Sequence, residues 1–189
     1  MARTVALGAL AAALLASTAG VALAQASMNF NRIASFPVAS NLPADLDPMT
    51  TTSAEIVAAT PDGQMLVYSD SPLGAVGMID ITDPANPAPA GLVMTDGEPT
   101  AVSVVGGVAL VGINTSVSFT EPSGRLDAVA LDSGAVVTSC DLGGQPDSVA
   151  VHPGGEFVAI AIENERDEDL NDGLIPQEPA GFLVLIDLT

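Results

Sequence analysis

A repeat constrains this sequence more than any other feature. Gln145 to Val151, the turn His152-Pro-Gly-Gly155 and Glu156 to Ile162 read as strand, tight turn, strand, with Val149 and Val151 alternating with smaller residues. An offset of 47 residues brings Glu98 to Val104, Gly106-Gly107 and Val108 to Ile113 into the same pattern. A further 45 brings in Ser53 to Gly63 and Gln64 to Tyr68, so that Pro61 and Gly63 fall on Pro153 and Gly155 at an offset of 92. Strand-built repeats with a period in the mid-forties mark the blades of a β-propeller. The expectation is an all-β chain of YVTN-like blades, each of four antiparallel strands. Outside the first residues no window carries a helical 3.6 period, so little helix is expected.

The repeat divides the chain into blades at 53–97, 98–144 and 145–189. Expected strands are Glu55 to Ala59, Gln64 to Tyr68, Ala75 to Ile81 and Ala90 to Met94. The second blade has Thr100 to Val105, Val108 to Ile113, Arg125 to Leu131 and Ala135 to Asp141. The third has Gln145 to Val151, Glu156 to Ile162 and Gly181 to Thr189, with no fourth strand. Propellers close with roughly four to eight blades. This chain is therefore expected to be the N-terminal fragment of a larger ring, with unpaired sheet edges. In residues 25–52, Phe30, Arg32, Ala34 and Phe36 alternate with Asn31, Ile33 and Ser35, which predicts a strand ending at Pro37 and placed to close the ring. Asn41 to Met49 reads as loop.

Residues 1–24 read as a signal peptide: Arg3, an apolar run from Val5 to Leu15, and the small-x-small site Ala22-Leu-Ala24, with cleavage before Gln25. A membrane anchor is the alternative for this stretch, and no other stretch is long and apolar enough to span a bilayer. Cleavage would leave the protein periplasmic or extracellular. The chain has no lysine, and its formal charge of −19 becomes −20 once Arg3 is removed. A surface this acidic repels phosphate backbones and anionic headgroups, which argues against nucleic acid as a partner and against a basic membrane-docking patch. It suits a solubilising surface or cation binding. Cys140 is alone, so no internal disulfide is available; it reads as a small buried residue, with a partner further along a longer protein as the other reading.

In a propeller blade, the entrance to the first strand and the loop between second and third strands open on one face. That sorting places Glu55, Glu98 and Asp147 beside Asp70, Asn114, Glu163, Glu165 and Arg166 on a common acidic face. Carboxylates converging there without lysines call for cations. Asp167, Asp169 and Asn171 have the i, i+2, i+4 spacing of a calcium loop, with Glu178 at the twelfth place. The glycine stands at the seventh place rather than the sixth and no helices flank the segment, so it is not an EF-hand; it is a calcium loop of a general kind or a solvated insertion. Hard oxygen donors favour calcium, and no Cys/His set exists for zinc. Arg166 either pairs with its acidic neighbours or meets an anionic group. His152 lies in a turn on the opposite face and reads as structural; no Ser/His/Asp set can be built with it.

Phe30 to Pro37, Ser53-Ala-Glu-Ile56, Tyr68 to Gly74, Gly97-Glu-Pro-Thr100, Gly143 to Ser148 and Ile162 to Asp169 together resemble the N-terminal propeller of bacterial exported proteins named for an esterase-like activity of phytase, also described as alkaline-phosphatase-like. The resemblance implies a phosphoester substrate and a further C-terminal propeller or phytase-like region. It places no catalytic residue on these positions. Three functions stay open: a phosphoesterase-related propeller using calcium at the acidic face, a non-catalytic propeller that binds a ligand or protein and scaffolds a downstream region, and a lactonase-like propeller with one central metal.

Overall fold

A computed structural model describes residues 30–189. The expected signal peptide, residues 1–24, lies outside the described residues, as do residues 25–29. The described residues form strands and two short 3-10 turns, Val38–Asn41 and Leu170–Gly173. The first sheet orders β1 (Val57–Ala59), β2 (Met65–Asp70), β3 (Ala75–Asp80) and β4 (Ala88–Met94) as an antiparallel meander. The second orders β5 (Glu98–Val105), β6 (Val108–Asn114), β7 (Gly124–Ala130) and β8 (Val136–Asp141). The third holds β9 (Pro146–Val151), β10 (Phe157–Ile162) and β11 (Phe182–Asp187), with β10 central. The fold is all-β and is built sheet by sheet as a β-propeller is.

The register shows where the repeat holds and where it slips. Ala58, Ser103 and Ala150 stand opposite Val67, Leu110 and Ala159 in the three sheets. First strands therefore keep the offsets of 45 and 47 seen in the sequence. Second strands are offset by 43 and 49, because two residues, Gly106 and Gly107, turn the second sheet, where Pro61 to Gln64 and Pro153 to Glu156 turn the others. Glycine suits so tight a turn, and Gly106 has φ +56°.

Each sheet buries one face on the next. Val67, Val76 and Met78 of the first sheet pack with Val102, Ala109, Val111, Ile113 and Val129 of the second. Leu110, Leu126 and Ala128 on the other face of the second sheet pack with Val158, Ile160 and Ile162 of the third. The rungs that face forward match: Val67 pairs with Met78, Leu110 with Ala128 and Ala159 with Leu185. The next rungs are Ser69 with Val76, Gly112 with Leu126 and Ala161 with Leu183. In the first two sheets these positions are buried, whereas Leu183 is 74% and Leu185 68% exposed.

Two expectations are corrected. Residues 30–37 form no strand, and Val38–Asn41 is a 3-10 turn. The alternation is real, since Ala34, Phe36 and Val38 are half-buried between exposed neighbours, but a strand needs a hydrogen-bonded partner and none of the described strands pairs with this segment. Cys140 is exposed, not buried. It lies on β8, the outer strand of its sheet, every residue of which is exposed.

Asn41 ties the N-terminal segment to the first sheet. The β3–β4 ladder slips between Met78 and Ile79, leaving backbone groups unpaired at a bulge. The Asn41 amide donates to the Met78 and Gly91 carbonyls, each at 2.9 Å, and to Tyr68 Oη at 3.2 Å, while its carbonyl accepts from the Gly91 N–H at 3.1 Å. Truncating it strands these groups, so Asn41→Ala is expected to cost about 1–3 kcal/mol, read from denaturant unfolding. A carboxylate at Val158, buried between sheets, is expected to cost about 3 kcal/mol or more, whereas Leu185→Asp should shift stability by about 0.5 kcal/mol or less. Equal losses in the two variants would show that the outer face of the third sheet is already covered.

Candidate functional site

The two ends of the sheets offer different chemistry; at one of them the Glu55 N–H donates to the Ser69 carbonyl, Glu98 stands opposite Asn114 and the Glu163 N–H donates to the Gln145 carbonyl. These acids are not copies of one position. Thr100 and Asp147 sit at bulges between Pro99 and Ala101 and between Pro146 and Ser148. By the first-strand offsets, Glu55 shares their place, whereas Glu98 aligns with Ser53 and Gln145. Alternation hides this, because a bulge lets one extra residue slip past the pairing.

Most of these acids brace loops. Ser71 Oγ lies 2.6 Å from Glu55 Oε2 and 2.8 Å from the Pro99 carbonyl, and its single proton serves one of them at a time. Asn114 Nδ2 donates to Glu98 Oε2 at 3.2 Å. Gln145, buried and missed in the sequence, donates from Nε2 to Glu165 Oε2 at 2.8 Å and accepts the Glu165 N–H at 3.1 Å. Its own N–H donates to Asn164 Oδ1 at 2.9 Å. Asp167 Oδ1 accepts the Asp169 N–H at 2.9 Å, and Gln177 clamps the same loop by accepting the Asp167 N–H and donating to the Asp167 and Leu170 carbonyls. Arg166 is held within this loop, donating to the Gly173 carbonyl at 2.7 Å and to Glu168 Oε1 at 3.4 Å. Asn164, Glu165, Arg166 and Gln177 line a cavity of about 240 Å³ beside Phe119 and Pro176.

Asp147 and Glu163 differ. Among the described residues neither side chain makes a hydrogen bond. Partial desolvation pushes the Glu163 carboxyl up from its ordinary value, and the nearby Asp147 and Glu165 carboxylates push it further. Asp70 is also raised, mainly by burial and also by Glu55; its Oδ1 accepts the Ser53 N–H at 2.9 Å and the Leu73 N–H at 3.3 Å, and its buried Oδ2 has no partner.

The set Asp167, Asp169 and Asn171 lies in one tightly turned loop. Asp167 is spent on a turn, Asn171 has a left-handed backbone (φ 53°), and among the described residues no three Asp, Glu, His or Cys side chains come close enough to hold a metal ion. On the opposite face His152 stacks on Phe157, ring centres 4.6 Å apart, and lies against Glu156.

Residues 55–189 match the family model of the choice-of-anchor I domain. The chain belongs to that family. Such a domain suits a cell-surface or exported protein, and no helix among the described residues is long and apolar enough to cross a membrane. No curated protein matches the sequence. Similar solved structures include hydrazine synthase of Kuenenia stuttgartiensis, at 18% identity and TM-score 0.48 over 58% of this chain and 30% of that one. A luciferin-regenerating enzyme is similar at 18% identity and TM-score 0.49, over 70% of this chain and 43% of that one. The choice-of-anchor I chain spans less than half the length of either.

Asp70 and Glu163 bind their protons more tightly in the folded chain than in the unfolded one. The stability this lends is present at low pH and is lost as pH rises through their raised folded values. The melting temperature is therefore expected to fall as pH rises from the ordinary carboxylate range through these raised values, and Asp70→Asn should flatten that slope. An unchanged slope in Asp70→Asn would remove Asp70 from the account. Asp62, Asp80, Asp83 and Asp187, all lowered by hydrogen bonds, act only on the acid side of the carboxylate range.

Proposed function

We propose that this choice-of-anchor I domain is the partner-binding part of an exported β-propeller, with recognition carried by the loops that follow β2, β6 and β10. One observation supports this above others: the acids of that face are engaged in holding loops in place, Glu55 with Ser71, Glu98 with Asn114 and Glu165 with Gln145. Loops held on a rigid sheet scaffold are the usual means of recognition. The forward rungs of the third sheet support a place in a larger ring, since the same rungs are covered in the first two sheets.

A second reading, phosphoester hydrolysis by the larger protein, is favoured by the Glu163 carboxyl, whose affinity for its proton is raised by partial desolvation and by Asp147 and Glu165, the direction a general acid requires. Phosphate release from p-nitrophenyl phosphate, with calcium and with EDTA, separates the two. The binding reading expects no release above background and no calcium-dependent rise in melting temperature. Turnover abolished by Glu163→Gln with the fold retained would overturn it in favour of hydrolysis. A stoichiometric calcium shift removed by Asp167→Asn would support a calcium loop there.

A further inference from the structure

Away from the acidic loops, the first and second sheets part to leave a cleft of about 890 Å³. Its floor is apolar, formed by Met65, Ala90, Val108 and Leu131, and around it stand Asp62 and Asp132 from two turns and Asp80 from the end of β3. The cleft has a structural cause. The turn of the third sheet reaches back over the second, so that a Cβ on Gly155 would lie 3.8 Å from Val105. The corresponding turn of the second sheet is two residues shorter and is made of Gly106 and Gly107, where an added Cβ would meet nothing within 4 Å. Room that a longer turn would fill is left open.

The lining carries three carboxylates and no basic side chain. Asp62 Oδ1 accepts from Thr60 Oγ1 and the Gln64 N–H, and Asp80 Oδ1 accepts the Thr82 N–H, while all three carboxylates stay exposed. The arginines of the described residues are elsewhere: Arg125 pairs with Asp127, Arg166 is held in its own loop, and Arg32 is not in the lining. Any positive charge seated here therefore comes from another molecule. Apolar floor and anionic rim together suit a cation on an apolar stem, as lysine and arginine present. The volume lies in the range of about 300–1,000 Å³ typical of ligand clefts, larger than one side chain needs. We infer that this cleft binds an extended basic polypeptide segment, seating an arginine or lysine among Asp62, Asp80 and Asp132 with apolar neighbours on Met65 and Leu131.

The probe is a fluorescein-labelled Gly-Leu-Arg-Leu-Gly peptide, with citrulline replacing arginine as its neutral counterpart, titrated by anisotropy into the full chain. Binding is expected to weaken about tenfold or more with citrulline, in Asp62→Asn/Asp80→Asn, and with rising salt. Gly107→Leu should abolish it without lowering the melting temperature, because that position opens on free space. Asp187→Asn, a single such neutralisation outside the lining, should leave it intact. Equal binding of the citrulline peptide, unchanged binding in Gly107→Leu, or no binding at millimolar peptide would each overturn the inference. Competition by butylguanidine as strong as by the peptide would reassign the cleft to small cations and overturn the polypeptide claim.

Discussion

Burial of one sheet face on the next is the constraint from which the rest follows. A single four-stranded meander has two faces and water on both, and at about 25 cal/mol per Å² its stability comes only when one face is removed from water. Val67, Val76 and Met78 against Val111, Ile113 and Val129 make the first such interface, and Leu110 and Leu126 against Val158 and Ile160 make the second. Polar links fix how the faces meet. Ser71 Oγ reaches the carbonyl of Pro99, and Thr100 Oγ1 donates to that of Pro146 at 2.7 Å, so a buried proline at the start of each following sheet is tied to the sheet before it.

The blades were legible because their turns are chemically explicit. Pro61, Gly63, Pro153 and Gly155 punctuate the chain, and the strands between them alternate as half-buried strands do. Strand ends then differ from expectation by a few residues. What stayed hidden depends on distant neighbours. Period-two burial at Ala34, Phe36 and Val38 looks the same whether or not another strand pairs with the segment. Cys140 alternates like a core residue, yet its strand is outermost. The two-residue shortening of the Gly106-Gly107 turn was present in the sequence as the spacing of the second strands, offset by 43 and 49 where the first strands are offset by 45 and 47, and its meaning, a gap between sheets, needed the register.

The acidic face shows the same division between composition and geometry. Counting carboxylates suggested convergence on cations; placing them shows a set of hydrogen bonds between acids and neutral partners such as Ser71, Asn114 and Gln145. A carboxylate that accepts from hydroxyl and amide groups needs no metal to be stable in water. Gln145 and Gln177 were not singled out because glutamine carries no charge, although each satisfies backbone groups of the 163–181 loop.

The two outer faces of the stack are finished in opposite ways. On the first sheet, irregular chain from Asn41 to Ser53 lies over Tyr68, Met78 and Asp70, whereas the third sheet presents bare Leu183 and Leu185. The stack is thus polar, with one capped end and one receptive end. A sheet arriving at the receptive end finds rungs that dictate its position, as the earlier sheets did. One arriving at the capped end meets a segment with no ladder, and must take its position from the shape of that chain alone.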